Sequence, residues 1–177
     1  MTRELNTPRL ILRNWRLADL PIWIEMNSDP ITLKYFPRTF TEAESRASFE
    51  RIKSFLELHE FGLWAAEEKE SEKFMGFIGL SEQYVEGISF TPCIEIGWRL
   101  DKSYWNKGYA TEGASAVLKF GSEILKIDKI FSYTTRINTP SLNVMKKIGL
   151  TARPELDFDH PKIKTGEPLL SHLVYST

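Results

Sequence analysis

The stretch from residue 93 to residue 135 constrains the fold more than any other part of this sequence. An apolar strand pattern at Cys93–Leu100 is followed by a short loop around Gly108, and then by a helical pattern with alanine, valine and leucine on one face. A β-rich segment at 127–135 comes next. A strand, a turn, a helix and a second strand in this order predict a β-α-β unit, in which the helix crosses between two strands. The fold class that follows is α/β.

The rest of the chain supplies further strands and helices around this unit. The predicted elements are an opening strand at 9–15, a helix from Asp19, a helix begun by the capping box of Thr41 and Glu44, a hairpin across 69–73, a helix from Pro140 to just before Gly149, and two tail strands around 150–153 and 169–175. The segment 157–168 is polar and contains proline, which predicts a loop. With 42% hydrophobic residues and no linker or repeat, residues 1–177 are expected to form one domain.

Composition excludes several classes of function. The 23 Lys and Arg residues are interspersed with 24 Asp and Glu residues, so the one-sided basic surface of a nucleic-acid-binding protein is not expected. Cys93 is the only cysteine, which excludes an intramolecular disulfide and a cysteine-based zinc site and suits a reducing compartment. Residues 1–8 have no apolar signal core, and no run is long enough to span a membrane. The sequence therefore predicts a cytoplasmic protein.

The turn at 106–111 is a candidate phosphate site. A helix N-terminus presents unpaired backbone N–H groups and the positive end of the helix dipole, so a turn of small residues there can bind a phosphate. Gly108 lets the backbone approach a ligand closely, and Ala110 keeps that approach open. Neither a P-loop nor a dinucleotide-binding string occurs. The alternative is that Gly108 only makes a tight turn between a strand and a helix.

Three motifs accompany this turn in a fixed order. They are Thr7-Pro8-Arg9-Leu10-Ile11-Leu12-Arg13 with Asp19 behind it, Glu95-Ile96-Gly97-Trp98 followed by Tyr104-Trp105-Asn106-Lys107-Gly108-Tyr109-Ala110-Thr111-Glu112, and Asn138-Thr139-Pro140-Ser141 with Ile148-Gly149-Leu150. Over nearly its whole length the chain resembles the GNAT superfamily of N-acetyltransferases and, within it, the RimJ/RimL-type branch. Phe158-Asp159-His160-Pro161 resembles a tail motif of one subgroup of that branch. Trp105 occupies a position where the superfamily usually has Gln or Arg. Members of the RimJ/RimL-type branch commonly have this tryptophan, so the residue favours that branch.

The resemblance implies a fold, a cofactor and a reaction. The fold is a mixed, mostly antiparallel twisted sheet of about six to seven strands flanked by helices. The cofactor is acetyl-CoA, with CoA as product, and a primary amine attacks the thioester directly. The acceptor is a protein N-terminus or a small-molecule amine. The cofactor-binding residues implied are Trp98, Arg99, Leu100, Asn106, Lys107, Gly108, Tyr109, Ala110, Thr111, Asn138 and Ser141.

Direct attack by an amine requires a group that removes a proton and a group that returns one to the departing thiolate. Glu95 is the candidate base, acting through water, because an acid on an apolar strand is costly to bury unless it is paired or functional. The alternative is that it points to solvent or forms a salt bridge. Ser141 is the candidate acid or hydrogen-bond donor on the thiol side, since Met145, where many family members have a tyrosine, has no proton to give. The alternative is that Ser141 is only a residue of the first helical turn that contacts the cofactor. For Asn138, the alternative to cofactor binding is an N-cap.

The acceptor site is the least determined part of the sequence. A family-like acceptor pocket would draw on Tyr35, Phe36, Trp98 and His160, although such aromatic residues are more often core. The histidines match no compact metal motif, so no metal is predicted. Two other functions stay open, an acyl-CoA-binding sensor without turnover and a protein-interaction module. A homodimer through an exposed sheet edge near the tail also stays open.

Overall fold

The computed structural model describes residues 4–177, so the expectation for residues 1–8 falls partly outside the described residues. The strands are β1 (Leu5–Asn6), β2 (Leu10–Arg13), β3 (Leu63–Glu68), β4 (Lys73–Gln83), β5 (Cys93–Leu100), β6 (Ile130–Thr135), β7 (Thr151–Ala152), β8 (Phe158–Asp159) and β9 (Ser171–Ser176). The helices are α1 (Leu20–Ser28), α2 (Glu42–Leu58), α3 (Tyr109–Lys119) and α4 (Thr139–Lys147). A π-helical turn, Phe120–Ile124, continues α3.

Within residues 4–177 the nine strands form one sheet in the order β1-β2-β3-β4-β5-β6-β9-β7, and β8 also pairs with β9. The pair β5 and β6 is parallel and all other pairs are antiparallel. The predicted mixed, mostly antiparallel α/β fold is confirmed. The strand count is higher than predicted because β1 and β8 have two residues each, too few to show a periodic pattern, whereas β7 lies within the predicted tail strand around 150–153. β8 lies in the segment that was predicted to be a loop.

Strands β5 and β6 pair at one end and then separate. Ile94 aligns with Ile130 and Glu95 with Phe131, whereas β4 pairs with β5 along its whole length. The Ser132 hydroxyl donates a 2.9 Å hydrogen bond to the Ile96 carbonyl where the two strands part. Within residues 4–177, the backbone at 97–100 therefore has no strand partner on its β6 side, and a wedge opens there in the sheet.

Helices cover both faces of the sheet. Helix α3 lies so close to one face that a Cβ atom at Gly113 would stand 2.3 Å from the Ile78 Cδ1 atom. On the other face, Trp23 of α1 contacts Phe77 of β4 at 5.9 Å between ring centroids. Trp23 is almost fully buried, while Leu20, predicted to point inward, is half-buried. Each large apolar side chain buried in this way stabilises the fold by about 1.5–3 kcal/mol.

Local sequence signals set the helix ends. In the capping box of α2, Thr41 Oγ1 accepts from the Glu44 N–H at 3.2 Å, and the Glu44 carboxylate accepts from the Thr41 N–H at 2.8 Å. Gly149, just past α4, has a φ of 89°, which confirms its predicted place at a helix end. Among the helices of residues 4–177, none has both the length and the apolar character needed to cross a membrane.

Candidate active site

A cavity of about 340 Å³ opens at the wedge between β5 and β6, beside the N-termini of α3 and α4. The sequence-predicted cofactor residues that line it are Trp98, Arg99, Leu100, Asn106, Gly108, Tyr109, Ala110, Thr111, Asn138 and Ser141. Lys107 is the exception. Its carbonyl oxygen accepts a 2.9 Å hydrogen bond from Arg9 Nη1, and its ammonium lies 5.8 Å from the centroid of the Tyr104 ring. The structure thus brings together residues from three separate motifs.

The N-terminus of α3 carries unpaired backbone donors. Gly108 is its N-cap, has a φ of 84° and offers no side chain to cap the helix. The first helical bond runs from the Glu112 N–H to the Gly108 carbonyl at 3.0 Å. Among residues 4–177, the N–H groups at 109–111 therefore have no hydrogen-bond acceptor. Helices α2 and α4, in contrast, are capped by side chains. An anion in the cavity would supply the acceptors that α3 lacks.

A network around Glu112 holds this turn in place. Arg9 Nε donates to Glu112 Oε2 at 2.7 Å, and Thr7 Oγ1 donates to Glu112 Oε1 at 2.6 Å. Burial acts to raise the pKa of Glu112, but the hydrogen bonds from Thr7 and Arg9 lower it overall. From the sequence, Thr7, Arg9 and Glu112 could be placed in motifs, but no role was predicted for their side chains. Their contacts span more than 100 residues, so only their joint presence in two motifs could have signalled them.

Trp105 anchors the loop that precedes the turn. Its indole N–H donates a 2.7 Å hydrogen bond to the carbonyl of Leu100, the last residue of β5. The Lys34 ammonium lies 4.9 Å from the centroid of its ring. The tryptophan therefore ties the loop to the strand end, and it also lines the cavity.

The cavity lining is positively charged. Lys34, Arg99 and Lys147 contribute to it, and no aspartate or glutamate of residues 4–177 does. A concave site with charges of one sign attracts the opposite charge, and its low-dielectric walls strengthen the effect. The lining therefore suits an anionic ligand.

Glu95 lies outside the cavity lining, on the face of β5 that it shares with Gly97 and Arg99. It is half-buried, and among the described residues it makes no hydrogen bond or ion pair, so the salt-bridge alternative is not observed. Burial raises its pKa to about 8. Burial and the nearby Glu95 together raise the pKa of Cys93 to about 11, which keeps that thiol protonated at neutral pH.

Helix α4 places Asn138 and Ser141 at the cavity. Asn138 Oδ1 accepts from the Ser141 N–H at 3.3 Å, and its Nδ2 donates to Thr134 Oγ1 at 2.9 Å, so Asn138 is the N-cap. The Ser141 hydroxyl has no hydrogen-bond partner within residues 4–177 and faces the cavity. Met145 is buried and does not line it. Ser141 is thus a free hydroxyl at the wedge.

Three of the four predicted acceptor residues lie together. Tyr35 and Phe36 line the cavity with Trp98. His160 does not line the cavity: its ring lies 5.1 Å from that of His172 between centroids, at an angle of 47°, in an aromatic cluster with Phe158. Burial lowers the pKa of both histidines. No group of three or more potential metal ligands occurs among residues 4–177.

The chain is similar to known proteins over most of its length. The family described as "Acetyltransferase (GNAT) domain" matches residues 9–151. The chain belongs to the GNAT acetyltransferase family. This GNAT chain is 31% identical over 153 residues to an uncharacterised N-acetyltransferase, YnaD of Bacillus subtilis (strain 168), covering 83% of this chain and 82% of the relative.

Solved structures share the fold of this GNAT acetyltransferase. A GNAT-family acetyltransferase from Bacillus anthracis superposes with a TM-score of 0.80 and 27% identity, covering 99% of this chain and 98% of the other. RimL, a ribosomal L7/L12 α-N-protein acetyltransferase solved in complex with coenzyme A, superposes with a TM-score of 0.78 over 99% of this chain and 97% of its own. Its identity of 14% makes that a likeness of fold alone.

Proposed function

We propose that this GNAT protein is an acetyl-CoA-dependent N-acetyltransferase that acetylates a primary amine. The observation that carries the proposal is the uncapped N-terminus of α3, which opens into a cavity lined by three cations and no carboxylate of residues 4–177. Free backbone N–H groups and cations together are what a pyrophosphate requires. Membership of an acetyltransferase family supports the same cofactor.

The residues present fit coenzyme A. The N–H groups at 109–111 would hold the pyrophosphate, because they lack acceptors and the φ of 84° at Gly108, which glycine adopts without strain, leaves them exposed at the start of α3. Asn138 and Ser141 would contact the pantetheine arm along α4, and the free backbone edge at 98–100 would lie against its other side. When bound, acetyl-CoA supplies the activated acetyl thioester. A backbone N–H of residues 98–100 is then the donor available to the acetyl oxygen.

The proton transfers fall to two side chains. Glu95 is the proposed base and would take the ammonium proton through water, because a pKa of about 8 suits it to accept a proton near neutral pH. Ser141 is the proposed proton donor to the departing thiolate, since its hydroxyl is free within residues 4–177 and lines the cavity. Both roles require the acceptor amine to lie between β5 and α4.

Several finer assignments belong to the same proposal. We place the chain in the RimJ/RimL-type branch on its motifs and assign it to the cytoplasm. Tyr35, Phe36 and Trp98 form the proposed acceptor wall, and His160 joins it if the acceptor reaches the aromatic cluster. A homodimer would use the sheet edge at β7, which ends the strand order.

The test is calorimetric titration of CoA into the wild type and two glycine variants. Gly108→Ala strains the turn, whose φ is 84°, and should weaken CoA binding about tenfold or more. Gly87→Ala is the matched control, because Gly87 has a φ of 80° and open space around it. No CoA binding by the folded wild type would contradict the proposal and favour an interaction module. Binding without thiol release across a broad amine panel would favour the sensor.

A further inference from the structure

We propose that the Arg99 side chain is a carboxylate receptor, so that the acceptor is a small molecule carrying both an amine and a carboxylate, such as a free amino acid. The proposal rests on the proposed function, because it assigns the acceptor of that reaction. In the proposed function Arg99 contributes only its positive charge to the cavity lining, and the proton transfers do not use it.

The Arg99 side chain is half-buried, its Nε atom is fully buried, and no anion among the described residues accompanies it. Its Nη1 donates a 2.7 Å hydrogen bond to Asn27 Oδ1, and no carboxylate of residues 4–177 forms an ion pair with it. The rings of Trp23, Phe36, Phe40 and Phe77 surround it at 4.2 to 5.6 Å from their centroids. Burial lowers its pKa to about 10, which leaves it charged at neutral pH.

Two buried donors in this cluster have no acceptor. They are Arg99 Nε and Asn27 Nδ2, the nitrogens left over after the bond between the two side chains. Aromatic faces stabilise a cation but accept no conventional hydrogen bond from these groups. A buried donor without an acceptor is costly, and nearly all buried polar groups in proteins are paired. The buried Arg13 in the same molecule shows the contrast, since it is paired with both Asp19 and Glu67.

A carboxylate is the ligand that completes this cluster. It is acceptor-only, and its two oxygens match the planar donor fork of a guanidinium. It would neutralise Arg99, which lines the cavity, and give its guanidinium an anionic acceptor. An amine without a carboxylate would do neither. The cluster therefore distinguishes acetyl-accepting amines that carry a carboxylate from those that lack one.

The position of Arg99 connects the receptor to the chemistry. Arg99 lines the cavity and shares one face of β5 with Gly97 and Glu95. A Cβ atom built on Gly97 meets no other atom within 4 Å, so the space between the two side chains is open. Four residues of strand separate their Cα atoms by about 13 Å, a distance that two inward-reaching side chains and a ligand the size of an amino acid span. The carboxylate would bind Arg99 while the amine faces Glu95.

The experiment compares the L-amino acids with their amides as acceptors and measures kcat/KM for each pair. We expect each preferred amino acid to exceed its amide at least about tenfold. Asn27→Asp is the decisive variant, because it places a carboxylate where Asn27 Oδ1 now accepts from Arg99. This internal anion should reduce the amino-acid-to-amide ratio to near one and raise the melting temperature. Arg46→Met, on the exposed surface of α2, is the control for loss of one positive charge and should keep the wild-type ratio.

A binding measurement separates this inference from the proposed function. N-acetyl amino acids and N-acetyl amino acid amides, titrated into the protein with CoA present, report carboxylate recognition without turnover. If no amine is acetylated, the proposed function fails, and the titration still decides the role of Arg99. Equal binding of acid and amide, or a preference that persists in Asn27→Asp, would overturn the receptor and leave Arg99 a structural cation.

Discussion

At the scale of single residues, the environment of Glu95 decides what its carboxyl group does. The ordinary pKa of a glutamate side chain is 4.5, and burial without a partner raises this value to about 8. The folded protein therefore keeps the proton between about pH 4.5 and pH 8, whereas the unfolded chain has lost it. The stability that this proton confers is complete below the unfolded pKa and is lost as the pH rises through about 8.

We expect Glu95→Gln to be more stable than the wild type at pH 9 and less different from it at pH 5. Thermal melts at the two pH values measure this, with Glu82→Gln on the exposed side of β4 as the control.

The Glu95→Gln variant should also lose at least about a hundredfold in kcat/KM if Glu95 is the base. In the wild type, kcat/KM should rise with pH and level off near 8. If the rise in kcat/KM with pH instead followed the pKa of the acceptor amine, with no inflection near the pKa of Glu95, the base would be another group.

At the scale of elements, β5 combines two functions on its two edges. One edge pairs with β4 throughout, and the other is free from residue 97 onward because β6 diverges. The strand is thus held rigidly while its backbone remains available to a ligand. Glycine at position 97 keeps the face between Glu95 and Arg99 open.

Gly97→Val should block the acceptor without unfolding the protein. Gly97 does not have a positive φ, and its Cβ would stand in open space, so valine fits the strand and fills the groove. We expect the melting temperature to stay within a few degrees, CoA binding to persist and the acceptor KM to rise at least about tenfold. Gly79→Val on β4 is the contrasting variant, because its Cβ would lie 2.1 Å from the Gly62 carbonyl oxygen and should destabilise the fold. Unchanged acceptor kinetics in Gly97→Val would place the amine outside this groove.

At the scale of the whole molecule, the wedge divides the sheet. Strands β1 to β5 lie on one side and β6 to β9 on the other, joined in the sheet at Ile94–Ile130 and Glu95–Phe131. The cavity takes residues from both sides. A ligand that fills it would therefore connect two parts of the sheet that have few direct backbone contacts.

CoA at about 100 times its Kd should stabilise the fold by about 2.7 kcal/mol through linkage. The same ligand should slow amide hydrogen exchange in the first turn of α3, in α4 and in β6, because these elements border the wedge. Helix α2 lies on the opposite face and serves as the internal reference. Hydrogen exchange detected by mass spectrometry measures the pattern, and protection confined to α2 would contradict the proposed location of the cofactor.

Much of the fold could be predicted from the sequence, because its signals are local. Apolar alternation predicted β5, the box of Thr41 and Glu44 predicted the start of α2, and Gly149 predicted the end of α4, and the structure confirms these elements. Strands β1 and β8 were not predicted, because a segment of two residues has no period. Within the site, Gly108 was predicted to make the turn, and its positive φ agrees.

The sequence by itself determined the order of elements, the turn at Gly108 and the family, since each depends on residues close together in the chain or on a motif. Only the tertiary structure decided which side chains share an environment. It paired Arg99 with Asn27 across 72 residues, bound Arg9 to Glu112 across 103, and left Glu95 without a partner among residues 4–177. It also put His160 in a cluster apart from the cavity. Periodicity and capping act within a few residues, whereas burial and the partners of a charge arise when distant segments pack.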